Sequence, residues 1–361
     1  MAQSKAKQTQ ATKTTKGQTK ATVSKTATKQ HNPLTVLQTY LKDQTPLKYV
    51  IFSGRLSQDA RVNAANAQHS KVVNLSIALH NCTADLRYAT GASARQLPNA
   101  DVDFVNVAVW NNDKLSGAQA TLADRVEARK LVKGEEVTVI GTIPLNQPLH
   151  EYEGKYTVQV NAVNVYRQGM QNVFYPFLTY TKQGKPLMMA VIRGRVSNNP
   201  VKYSVQKIDD DWINLSIAVN SSPTDANQPN YLASSLRYAT HTTEKELEDR
   251  EVYFIEASAW NNKNLSGPRA VLADTVEQQH YQKGDLVEIV GVINQKLKNT
   301  TEDKYDNQPQ ASVQSIYRIA TKAHKKSAAA PGSAPDPAAQ PAADDAAEGV
   351  SLDISDDDLP F

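Results

Sequence analysis

"FVNVAVWNNDKLSG" (residues 104–117) recurs as "FIEASAWNNKNLSG" (254–267), 150 positions further along the chain. The same interval separates "LADRVEARKLVKGEEVTVIG" (122–141) from "LADTVEQQHYQKGDLVEIVG" (272–291), and "LRYAT" (86–90) from its copy at 236–240. Earlier elements repeat at an interval of 140: "SGRLS" (53–57) against "RGRVS" (193–197), and "NLSIA" (74–78) against "NLSIA" (214–218). Ten extra residues therefore enter the second copy between 219 and 236, in a stretch rich in Ser, Pro, Asn and Asp that reads as a longer loop. The body is one unit written twice.

Each copy alternates with the period of two that marks a half-buried strand. In the first copy the runs fall near 48–56, 72–80, 102–111, 136–143 and 155–166. Between the third and fourth, Leu122 and Val126 recur at helical spacing, Leu131 or Val132 completes the stripe, and Gly134 ends it. Three strands, one helix and two strands in about 120 residues is the order of the OB-fold, a five-stranded Greek-key barrel. The fold class expected is thus all-β with one helix per domain, as two tandem OB-folds. The expected boundaries are a basic disordered arm over 1–43, OB-fold 1 over 44–168, a linker over 169–183 and OB-fold 2 over 184–320. A Pro/Ala/Asp-rich linker over 321–350 and an acidic tip over 351–361 complete the chain.

Strand parity divides core from surface. Val105, Val107 and Val109 point one way; Phe104, Asn106, Ala108 and Trp110 point the other. The second copy repeats this with Ile255, Ala257 and Ala259 inward and Phe254, Glu256, Ser258 and Trp260 outward. Two large rings among small polar neighbours make a stacking platform for the π-faces of unpaired bases. Arg55 in copy one, and Arg193 with Arg195 in copy two, stand opposite the core residues of the first strands, where guanidinium can neutralise phosphate or stack. Tyr152, Tyr156, Trp212 and the Arg87-Tyr88 and Arg237-Tyr238 pairs are further candidates. The competing reading covers Trp110 and Trp260 with a helix or loop.

Composition excludes much else. There is no apolar run near the roughly 18 residues a membrane span needs, and no apolar leader at the N-terminus. Cys82 is the single cysteine, so no intrachain disulfide can form and a reducing, cytoplasmic setting is expected, with Cys82 as a small filler. No Walker A, HExxH, GxSxG or Cys/His metal spacing occurs, and "DDDW" (209–212) lacks an EF-hand pattern, so neither enzyme chemistry, cofactor nor metal is expected. The net charge of +3 conceals a polarity: residues 1–30 hold seven lysines and no acid, and 327–361 hold eight acids and no Lys or Arg. Neither end has the apolar content to offset the entropy of ordering it.

These residues resemble the bacterial single-stranded DNA-binding protein family. The resemblance lies in "GRLS"/"GRVS", "NLSIA", the Phe-x5-Trp strands, the helix leading to "KG", "VIG"/"IVG" and above all the acidic tail ending "DDDLPF" (356–361). It spans about 48–167, 187–318 and 351–361. Two folds per chain is similar to the Deinococcus–Thermus form, which implies a homodimer presenting four OB-folds. It also implies sequence-independent binding and protection of single-stranded DNA in replication, recombination and repair, at the nucleoid, through Phe104, Trp110, Phe254, Trp260 and Tyr152. The tip, Asp356, Asp357, Asp358, Leu359, Pro360 and Phe361, is implied to dock replication and repair proteins. The family's "LRYT" follows the first strand whereas "LRYAT" here follows the second, so no role is carried over to it. Two alternatives stand beside this: an RNA-binding or replication-restart OB protein, since stacking and phosphate contacts do not read the 2′-OH, and a protein-recruiting scaffold whose OB faces do not bind nucleic acid.

Overall fold

The computed structural model describes residues 33–66, 70–114, 120–167, 172–205, 210–221, 231–262, 270–298 and 308–321. The basic arm before 33, residues 222–230 within the span that holds the ten-residue insertion, and the acidic tip lie outside the described residues. In chain order the first repeat holds β1 (Leu34–Tyr40), β2 (Pro46–Leu56), β3 (Arg61–Asn63), β4 (Val72–His80), α1 (Thr83–Thr90) and β5 (Val102–Trp110). It continues with α2 (Leu122–Ala128), β6 (Glu136–Thr142), β7 (Leu149–Tyr152) and β8 (Lys155–Arg167). The second holds β9 (Val173–Tyr180), β10 (Pro186–Val196), β11 (Val201–Val205), β12 (Asp210–Asn220), α3 (Tyr231–Thr240), β13 (Val252–Trp260), α4 (Leu272–Gln278), β14 (Leu286–Lys298) and β15 (Gln308–Ala320). No described helix is long and apolar enough to cross a membrane.

Five strands close each barrel. In the first, β2 pairs with β4, β4 with β5, β5 with β8, β8 with β6, and β6 returns to β2. Only β5 and β8 run parallel, which is the Greek-key crossover of the OB-fold. The second barrel repeats the circuit through β10, β12, β13, β15 and β14, with β13 and β15 parallel. The inward residues are those that parity selects: Val105, Val107 and Val109 meet Leu75, Ile77 and Leu79 in one core, and Ile255, Ala257 and Ala259 meet Leu215, Ile217 and Val219 in the other. Cys82 fills space, fully buried and donating to the His80 carbonyl at 3.3 Å.

The glycine of each "GR" motif is where closure happens. At Arg55 the strand pairs at once with Glu136 of β6 and Ala78 of β4, so β2 must curl tightly one residue earlier. A Cβ on Gly54 would lie 2.6 Å from the Ala78 carbonyl oxygen, and one on Gly194 2.5 Å from that of Ala218. Only a residue without a side chain lets the two backbones approach.

Two expectations are corrected. Each barrel carries two helices, not one: α1 and α3, which include the "LRYAT" segments, sit between the second and third barrel strands. Only Thr83, Leu86 and Ala89 of α1 are buried, so its apolar stripe is too short to register as a period; left-handed Gly91, donating to the Arg87 carbonyl, ends it. And spans 1–43 and 169–183 are not structureless to their ends. β1 hairpins onto β2 and β9 onto β10, with Tyr40 opposite Tyr180 joining the two hairpins.

These hairpins roof a third core between the barrels. Tyr49 and Ile51 of β2, Met189 and Val191 of β10, Ile140, Tyr166 and Val290 pack there with Leu37, Tyr175 and Phe177. The β2 and β10 residues in it are the parity partners of the barrel-core Val50, Phe52, Ala190 and Ile192, so both flanks of these strands are buried. That overturns the placement of Arg193 on a solvent face. Its side chain is 0% exposed, pairs with buried Glu288, donates to Thr138 Oγ1 at 3.0 Å and lies over the Tyr166 ring. Parity correctly turns Arg193 away from its own core, but the other barrel covers that side.

Two outcomes are expected. Gly194→Ala forces the β10 and β12 backbones apart and should cost about 1–3 kcal/mol, read as a lower urea midpoint. Arg193→Ala strands the Glu288 carboxylate and should cost about 3–5 kcal/mol, whereas Arg193→Met with Glu288→Leu should recover most of it. An unchanged midpoint for Arg193→Ala would contradict the buried pairing.

Candidate nucleic-acid interface

Opposite the barrel cores, the faces of β4–β5 and β12–β13 carry the aromatic residues. Phe104, Trp110, Phe254 and Trp260 are 49%, 40%, 42% and 38% exposed. No helix or loop among the described residues seals them. For rings this large, such exposure costs free energy that burial would recover.

Register arranges each face in rows across the strands. Arg55 lies opposite Ala78, and Ala78 opposite Phe104; in the second barrel Arg195, Ala218 and Phe254 form the same row. The alanine keeps the middle of the row low, so a cation and a ring flank a shallow floor. Arg55 donates to Glu136 at 3.1 Å and to the Gly134 carbonyl at 3.1 Å, and Arg195 to the Gly284 carbonyl at 2.9 Å. The Arg55–Glu136 pair is exposed on both sides, and such pairs contribute little, so the guanidinium can exchange its carboxylate for a phosphate at small cost. Asn74, Ser76 and Asn106 fill the rows between with small polar groups; in the second barrel Asn214, Ser216 and Ser258 do the same, but Glu256, opposite Ser216 and accepting from Asn214, puts a carboxylate where the first barrel has Asn106.

The "WNN" motif has a division of labour. Asn111 Oδ1 accepts from the backbone N–H of Ala123 at 2.9 Å, and Asn261 Oδ1 from that of Ala273 at 2.9 Å. Each caps the orphan donors of the following helix and ties the tryptophan end of the strand to it. A lysine clamps the same helix in each barrel by a different route. Lys71 holds Asp124 and Glu127; Lys202 of β11 holds Asp274 and Glu277 and also Asp211. Glu277, Asp274 and Asp211 raise the Lys202 pKa above the usual lysine value. Beside this anchored end, Trp110 lines an open groove of about 390 Å³ with Ser70, Asn111, Asn112, Leu122 and Asn161–Val163.

Of the other candidates, Tyr152 is 67% exposed on the β7–β8 hairpin, which projects from the Phe104 end of the face. Tyr156 packs partly against the core, and hydrogen bonding to Glu151 raises its pKa. Tyr88 and Tyr238 are exposed on α1 and α3, with Lys48 Nζ 4.8 Å from the Tyr88 ring centre. Asp356, Asp357, Asp358, Leu359, Pro360 and Phe361 lie outside the described residues. Sequence reading passed over Tyr203. It stacks on Trp212 at 4.6 Å between ring centres, and Trp212 stacks on Trp260 at 5.2 Å. Only the cross-strand register reveals this: Tyr203 and Trp212 stand opposite each other on neighbouring strands, and Trp260, 48 residues beyond Trp212, stands opposite Trp212.

No family model and no curated protein matches the chain. Among solved structures it is similar to the wild-type single-stranded DNA binding protein from Thermus aquaticus, at 15% identity and a TM-score of 0.22, over 80% of this chain and 95% of that one. It is similar also to a deletion mutant of that protein, at 14% identity and a TM-score of 0.22, over 81% of this chain and 98% of that one.

Proposed function

We propose that the chain binds single-stranded DNA without sequence preference, laying the strand across two faces of matching design. The observation that carries this reading is the repeated row of exposed ring, alanine and arginine, with an exposed tryptophan at the far end of the same strand. Unpaired bases stack on Phe104, Trp110, Phe254 and Trp260 at about 1–3 kcal/mol per base, and Arg55 and Arg195 take phosphates. Tyr152 closes over the strand at the Phe104 end. Duplex DNA hides its base faces and gains only the phosphate term.

On this reading the protein coats and protects single strands in replication, recombination and repair, as a binding protein rather than an enzyme, in the cytoplasm at the nucleoid. Two chains assemble as a homodimer presenting four OB-folds. The tip from Asp356 to Phe361 recruits replication and repair enzymes, its aspartates steering toward basic surfaces and Phe361 filling an apolar pocket.

Intrinsic fluorescence tests the reading directly, because the three tryptophans of the chain are Trp110, Trp212 and Trp260. Oligo-dT is expected to quench strongly at moderate salt and duplex DNA is not; equal quenching by both, or none, overturns the proposal. Oligo-rU matching oligo-dT would turn it toward RNA. Trp110→Ala and Phe254→Ala should each weaken oligo-dT binding by about 5- to 100-fold. Phe361→Ala should leave that affinity unchanged.

A further inference from the structure

Besides Glu256 in place of Asn106, the two faces differ at one edge. In the second barrel, β11 is the outermost strand, and Tyr203, Trp212 and Trp260 occupy three directly opposed positions on β11, β12 and β13. Directly opposed side chains in an antiparallel pair stand about 5 Å apart, so three aromatic residues in one row stack ring on ring. The interplanar angles of 20° and 12° bear this out. Trp212 has a ring on either side, so the column ends in Tyr203 toward the sheet edge and in Trp260 toward β15. Tyr203 is 44% exposed, and Val201, on the same face, is 50% exposed.

The equivalent row of the first barrel is Asn63, Val72 and Trp110, in the same register on β3, β4 and β5. That barrel closes without an aromatic column, so the column is not a requirement of the fold. Position 61, the counterpart of Val201, is Arg61, which donates to Gln58 at 2.9 Å and is exposed. One barrel thus ends its face in a cation and an amide, the other in a valine and a tyrosine.

We infer that Tyr203 and Trp212 extend the second barrel's site to its sheet edge as an additional base-stacking subsite for single-stranded nucleic acid, whose counterpart in the first barrel is a phosphate contact at Arg61. This rests on the proposed function and adds an inequality between the barrels. Tyr203 offers its outer ring face to a further base, and Trp212 holds Tyr203 and Trp260 at fixed spacing, so no ring freedom is lost when bases arrive. The first barrel's edge instead acts through charge. The two edges therefore respond differently to salt. Stacking is insensitive to ionic strength, whereas each neutralised phosphate contributes roughly 0.7 to the slope of log affinity against log salt for a single strand.

The test is the affinity of the full chain for fluorescein-labelled oligo-dT across a range of sodium chloride concentrations. Tyr203→Asn and Trp212→Val install the first barrel's own residues, and Arg61→Val installs the second's. The first two are expected to weaken binding about 5- to 100-fold at every salt concentration, with the slope unchanged. Arg61→Val is expected to make the slope shallower by roughly 0.7 and to match wild type at high salt. Tyr203→Asn sits on an exposed edge and removes no core contact, so its result stands even if Trp212→Val loses stability in a thermal melt. Wild-type affinity in Tyr203→Asn, or a loss that disappears at high salt, overturns the inference. If Tyr203→Asn binds as wild type while Trp110→Ala is impaired, the inference fails and the proposed function survives. If the unmodified chain does not bind oligo-dT, the proposed function itself has failed.

Discussion

The two barrels bury one flank of their first strands against each other, and which strand faces remain open for the candidate aromatic and arginine residues follows from that contact. β2 and β10 each have apolar side chains on both faces: one set enters the barrel and the other enters the core shared beneath the β1–β2 and β9–β10 hairpins. A strand with both faces buried cannot also serve as a ligand surface. The bare surface is therefore left to β4–β5 and β12–β13. Of the first strand, only the end past the glycine bend, with Arg55 or Arg195, reaches that surface.

Within the shared core, the repeats have diverged at the positions that face each other. Ser53 pairs with Thr138 at 2.7 Å, while the equivalent positions of the second repeat are Arg193 and Glu288, and Arg193 also reaches Thr138. A neutral pair meets a charged pair, and Arg193 of the charged pair donates to Thr138 of the neutral one. Two identical copies of either repeat would bring together two buried ion pairs or two uncharged ones, losing the Arg193–Thr138 contact. The cost of desolvating an ion pair makes it weak evidence for stability; the contact is one that two identical repeats would not make.

The exposed faces have diverged too, but in another currency. The Arg–Ala–Phe row is retained in both barrels, and so are the capping asparagines behind the tryptophans. In the middle of the face Asn106 and Ala108 give way to Glu256 and Ser258, and at the periphery Arg61 and Asn63 stand against Val201 and Tyr203, and Val72 against Trp212. Divergence at the rim alters how a strand is held at its margins while the flanking rings and arginines of the platform stay in place.

Much of the molecule was legible in the residues. The repeat interval and the period-two runs located five barrel strands per copy, and the valines of β5 were placed inward and Phe104 and Trp110 outward, because alternation follows directly from strand geometry. Short α1 was missed, since eight residues bury too few side chains to show a period. The hairpin strands β1 and β9 fall in spans that the sequence assigns to arm and linker, because neither belongs to the repeated five-strand circuit that marks a barrel. Local sequence also determines which side of a strand a residue takes, and so correctly turned Arg193 from its own barrel. What covers that side is a property of the whole assembly of strands. So is the meeting of Tyr203, Trp212 and Trp260, which depends on register between strands separated by loops. Parity is carried by neighbouring residues; burial and stacking are decided by partners that only folding brings near.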